Sequence, residues 1–222
     1  RTKANLQIFV EKRKAENQAA GEQLEQLLAS HDVIGTVQSV LGQYGLQRDN
    51  VAHAYTLYWI VYWGLANGVY EAPSVRSVQA VAQQVEQGFA VSPEFASMTE
   101  VQKQQTAEEL MVLTAILDSA STQAKSDPSF AAQMEKASLQ GSRKSGLQLD
   151  RIALTEEGFV PAQKRRGDAS DAGSSEETSF AGVNAPTDAE GLSTTNLALI
   201  AAAGGAGLAG MFLLGKAMGR RG

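Results

Sequence analysis

The chain has 222 residues, a formal net charge of −5 and no cysteine. That length fits one core of ordinary size plus an appendage, and a second full domain is not expected. The acidic balance argues against a nucleic-acid footprint, which needs clustered, uncompensated Lys and Arg, and the lack of Cys excludes disulfide frameworks, thiolate metal sites and cysteine nucleophiles.

The chain opens at Arg1 with neither an initiator Met nor an apolar leader core, and a processed or trimmed start is expected. From Lys3 to Leu28 there is no Pro, and Leu6, Phe9, Val10, Leu24, Leu27 and Leu28 share one helical face. One long amphipathic helix is expected, its polar middle (Glu11 to Glu22) facing water or another subunit. Asp32 suits the cap of a second helix carrying Val33, Ile34, Val37, Val40 and Leu41, ended by Gly42 and Gly45. The third starts at Asp49 or Asn50 and runs to a stop at Gly68. No Asp, Glu, Lys or Arg occurs from Asn50 to Tyr70, so the segment is either the centre of a bundle or a membrane span. His53, Thr56, Asn67 and the tyrosines are poor in hydrocarbon, which favours the bundle centre.

Pro73 suits the first turn of a fourth helix, whose Val75, Val78, Val81, Ala82, Val85 and Phe89 lead to a break at Ser92-Pro93. Thr99 and Gln102 form a capping box before a helix with Leu110, Met111, Leu113, Ile116 and Leu117. Asp127-Pro128 starts the last helix, with Phe130, Met134 and Leu139, closed by Gly141 and Gly146. The stretch GLQLDRIALTEEGFVP lacks helical period and is expected to be an extended tail docked on the bundle. Together, DNVAHAYTLYWIVYWGLANG, FASMTEVQKQQTAEELMVLTAIL and LDRIALTEEGF resemble a bacterial family of helical domains of unassigned activity, usually found behind secretion signals. The resemblance covers roughly Ala4 to Val160. It implies a helical fold and an exported location, and it carries over no functional residue.

Beyond Lys164, Arg165 and Arg166 the chain turns acidic and rich in Gly, Ser, Ala and Thr as far as Ser193, a composition that cannot bury enough apolar surface to offset ordering entropy. A linker over 162–195 is expected. Leu197 to Leu214 has no charged residue and no Asn, Gln, Ser or Thr, and Lys216, Arg220 and Arg221 close it. At 1.5 Å per residue the stretch is about 27 Å long as a helix, enough for a thin hydrocarbon core. A transmembrane helix over 196–218 and a basic tail over 219–222 are the reading, with a buried core helix as the alternative. The basic flank marks the cytoplasmic side, so the bundle (1–161) would face the periplasm from a bacterial inner membrane. Within the span, Ala202, Ala206 and Gly210 form one row of small residues and Ala201, Gly205 and Ala209 a second. Such rows let helices pack closely in lipid; mere tolerance of small residues is the plainer reading. An apolar stretch closed by Arg-Arg also resembles processed C-terminal sorting tails.

Chemistry is sparse. His53 lies four residues after Asp49, so the two share a helix face and could begin a proton-transfer site; a histidine bonded near its helix cap is the plainer reading. Glu108, Glu109 and Asp118 read as solvated charge on an outer face. Tyr55, Tyr58, Trp59, Tyr62 and Trp63 either fill the core or line a ligand pocket. No nucleotide-binding, hydrolase or zinc motif occurs. The span holds no His to ligate a haem, and no cofactor or metal is expected.

The expected architecture is an all-α multi-helix bundle with a docked extended tail, a polar linker and one C-terminal transmembrane helix. The expected role is a non-enzymatic accessory subunit, its partners membrane lipid and other transmembrane subunits or further copies of itself, met through the span, the first helix and the linker. An anchored ligand-binding bundle is the alternative.

Overall fold

The structure, a computed structural model, describes residues 1–144 and 146–162. The expected span, with Ala201, Ala202, Gly205, Ala206, Ala209 and Gly210, the flanking Lys216, Arg220 and Arg221, and nearly all of the expected linker lie outside the described residues. Eight helices are described, and after them a short hairpin: α1 (Thr2–Glu16), α2 (Gln18–Ser30), α3 (Val33–Gln43), α4 (Val51–Asn67), α5 (Val75–Ala90), α6 (Pro93–Ser97), α7 (Glu100–Ser126), α8 (Pro128–Lys144), a single 3-10 turn at Leu149–Arg151, β1 (Ile152–Thr155) and β2 (Gly158–Pro161). None of the described helices is long and apolar enough to cross a membrane.

At the centre lies α4, all of whose residues except Val61 and Asn67 are buried. It packs against α7 most extensively and against α5 and α8 as well, while α3 and α1 lie on α7. The reason is compositional: a helix that is apolar all round leaves water only when other helices cover every face. Asn50 is the residue that caps it, its side chain accepting from the Ala52 N–H, and Gly68 ends it at φ 65°. The bundle-centre reading holds.

The first expected helix is in fact two. Asn17 is extended; its N–H closes α1 on the Arg13 carbonyl and its side chain opens α2 by accepting from Ala20 N–H. Absence of Pro is not continuity, because an Asn cap ends one helix and starts the next equally well. The α2 helix folds back on α1 so closely that a Cβ at Gly21 would sit 2.5 Å from the Lys14 backbone nitrogen. Phe9, Val10, Ala20 and Leu24 thereby reach one core.

Other boundaries move for local reasons. Pro73 precedes α5 rather than sitting in its first turn, the cap being Ser74. Gly42 lies inside α3, and the chain turns at Gly45, φ 72°. Gly141 lies within α8, which runs to Lys144. The Ser92-Pro93 break is itself a short helix, Ser92 capping Phe95 N–H with Pro93 in the first turn. The Thr99–Gln102 capping box and the Asp127 cap form as expected.

The expected extended tail is an antiparallel hairpin. Ile152 pairs with Pro161 and Thr155 with Gly158, around a turn at Glu156-Glu157. It docks on α5, where the Gln84 amide acts as a substitute strand, accepting from Phe159 N–H at 2.9 Å and donating to its carbonyl at 3.1 Å. A two-stranded hairpin alone is marginal in water; the bonds to Gln84 and the ring contact of the half-buried Phe159 with Trp63, 6.0 Å between centroids, hold this one.

Candidate functional site

The five aromatic residues of α4 sit in the core, from 1% exposed at Tyr58 to 9% at Trp63. Tyr58 stacks on Tyr62 with centroids 5.8 Å apart, and Trp59 meets both rings edge-on. Tyr62 donates to the Ser138 carbonyl, Trp63 to the Ile152 carbonyl. Burial pushes the phenols of Tyr55 and Tyr62 up to about 12, and that of Tyr58 up as well, so all three stay protonated at physiological pH. These rings join α4 to α5, α8 and the hairpin.

His53 finds a different carboxylate from the one its spacing suggested. Its Nδ1 accepts from Gln47 N–H at 2.8 Å, and its Nε2 lies 2.9 Å from Glu86 Oε1 on α5. An Nδ1 that accepts leaves the ring proton on Nε2, which donates to Glu86. The sequence placed Asp49 beside this ring. The chain turns extended at Asn50 before α4 begins, so Asp49 is not on the helix at all. With both ring nitrogens engaged, His53 fastens the α3–α4 turn to α5.

The carboxylates of α7 are not the solvated row expected. Glu108 is buried, and its two oxygens accept from Thr2 Oγ1 at 2.7 Å, Asn5 Nδ2 at 2.7 Å and Gln104 Nε2 at 2.9 Å. This carboxylate pins the start of α1 to α7. Glu109 is half-buried and takes a hydrogen bond from Gln105. An amphipathic helix of ordinary length shows one face to water, but α7 is covered by α1, α3, α4 and α8, which leaves few of its positions free.

Asp118 is the most unusual of the three. It stands beside a shallow surface dimple between α3, α4 and α7 with about 10 Å³ of free space, whose other lining residues are Val37, Val40, Leu57, Val61, Thr114 and Ala115. Burial pushes its carboxyl up to about 6, with Lys125 pulling the other way. Tyr44 is raised to about 12, first by burial and then by the charge of Asp118.

Sequence reading also passed over Arg13. Its guanidinium is buried over the Phe9 ring, 5.0 Å from the centroid, and one nitrogen reaches Glu16 at 2.8 Å. Its i,i+3 spacing to Glu16 was legible; its burial was not, because burial follows from the break at Asn17. Among the described residues no group of three or more His, Asp or Glu is placed to hold a metal ion.

No curated protein and no solved structure matches the chain. A family match covers residues 6–161, from the first turns of α1 to the last residue of β2. With more than half of its length inside that match, the chain belongs to the Family of unknown function (DUF6683).

Proposed function

We propose that this protein is a non-enzymatic, membrane-anchored accessory subunit of a larger bacterial envelope assembly, its helical domain on the periplasmic side and its C-terminus in the cytoplasm. The observation that carries the reading is the charge-free stretch from Leu197 to Leu214, closed by Lys216, Arg220 and Arg221. The small-residue rows at Ala202, Ala206 and Gly210 and at Ala201, Gly205 and Ala209 supply a face on which another span can pack. Support from the described domain is of a different kind. The α1–α2 hairpin packs on the bundle through α1 and leaves Ile8 55% exposed, an apolar side chain open to protein contacts.

Extraction of membranes with alkaline carbonate tests the anchor: the full chain is expected in the pellet, and recovery in the wash overturns it. Size measurement in detergent tests the assembly. Leucine at both Ala206 and Gly210 is expected to reduce the size of the complex, and an unchanged size counts against packing through that row.

A further inference from the structure

We propose that His53 is an acid-sensitive latch: when its ring takes up a proton, the α3–α4 turn is released at Gln47 while the ring stays on α5. The residue is 7% exposed, its Nδ1 accepting from Gln47 N–H at 2.8 Å and its Nε2 lying 2.9 Å from Glu86 Oε1. Nε2 already carries the proton of the neutral ring, so a second one enters only at Nδ1. An imidazolium is a donor at both nitrogens and an acceptor at neither. Its new N–H would point at the Gln47 N–H, donor against donor, and that bond cannot survive.

Which side yields follows from what else holds each side. On α5, the bond to Glu86 becomes charge-assisted and strengthens. On the turn, the Tyr44 carbonyl accepts from Gln79 at 3.1 Å and the Leu46 N–H donates to the Leu41 carbonyl at 2.9 Å, both ahead of Gln47. Past that point the holds are long and exposed: Gln38 reaches the Arg48 carbonyl at 3.4 Å, and Asn50 Nδ2 reaches Gln47 Oε1 at 3.3 Å. Gln47, Arg48 and Asp49 are themselves exposed, so water can take over the freed N–H. The charged groups around the ring are few. No Asp, Glu, Lys or Arg lies on α3 or α4; α5 carries Glu86 and, ten residues earlier, Arg76 paired with Glu156; the turn carries Arg48 and Asp49. Tyr44 and Tyr55, raised to about 12 by burial, keep their protons. The latch is independent of the membrane anchor and stands if that reading fails.

The test is NMR of the full chain in non-ionic detergent from about pH 8 down to about pH 5, the range in which histidine side chains ordinarily gain charge. The nitrogen shifts of the His53 ring report its protons, and the Gln47 amide reports the bond. At the upper end the proton is expected on Nε2 alone, and at the lower end on both nitrogens. Exchange protection of the Gln47 amide, corrected for the intrinsic effect of pH, is expected to fall about tenfold at the same midpoint, as one hydrogen bond is lost. The amides of Leu57 and Tyr58 should stay protected, which separates release of the turn from unfolding, and exposed His31 serves as the reference titration. Glu86→Gln is expected to move the ring and amide midpoints together to lower pH. A Gln47 amide that stays protected while the His53 ring gains its second proton, a ring still neutral at the lower end, or protection lost at Leu57 and Tyr58 as well would each overturn the proposal.

Discussion

Asp118→Asn is expected to stabilise the domain at neutral pH. Burial beside the apolar dimple pushes the Asp118 carboxyl from its ordinary value near 4 to about 6. Two units correspond to a ceiling of about 3 kcal/mol at about 1.4 kcal/mol each. Asp118 is half-buried, and solvent screening brings the expected figure to roughly 1–2 kcal/mol. The sign follows from proton counting. Between about pH 4 and pH 6 the folded chain retains a proton that the unfolded chain has released, so the Asp118 contribution falls as pH rises through that window. Asparagine keeps the shape and removes the titration. Urea unfolding followed by tryptophan fluorescence is the assay, since Trp59 and Trp63 both report on the bundle core. The variant should exceed the wild type by that amount at pH 7.5, with an unchanged denaturant slope, and the two should converge near pH 4. A variant of equal or lower stability at pH 7.5 would refute the argument from burial.

Gly21→Ala normally helps an exposed helix interior by about 0.5–1 kcal/mol. Here the new Cβ would meet Lys14 Cα at 2.6 Å, and a loss of about 1–3 kcal/mol is expected instead. A rise in melting temperature would show that α1 and α2 are not in such close contact. Gln84→Ala removes the bonds that hold the outer edge of β2, together worth about 1–2 kcal/mol. Amide exchange at Phe159 is then expected to quicken about tenfold while α4 remains protected, and an unchanged rate would mean that ring packing alone seats the hairpin.

What the sequence disclosed depended on how local the determining interaction was. The capping box at Thr99–Gln102 and the cap at Asp127 involve residues three or fewer apart, and both were legible. The burial of α4 was legible because no face of it could tolerate water. The hairpin was harder: Ile152 to Pro161 reads as extended, but what fixes it is Gln84, more than seventy residues away, and no local pattern marks a glutamine as a strand's partner. The carboxylates failed for a related reason. Glu108, Glu109 and Asp118 look alike in a helical sequence, yet their neighbours come from different elements: Thr2 and Asn5 for Glu108, Gln105 for Glu109, an apolar dimple for Asp118. The same functional group thus serves as a buried clasp, a half-buried acceptor and a desolvated charge opposed only by Lys125.

That difference bears on stability. Glu108 is satisfied by neutral donors and His53 by Gln47 and Glu86, so each explains itself within the fold. Asp118 differs, since valine and leucine lie beside it and burial outweighs the opposing charge of Lys125. A charge that weakens its own domain is where a neutral isostere is expected to gain stability. The carboxylate that the sequence made least conspicuous is therefore the one most worth substituting first.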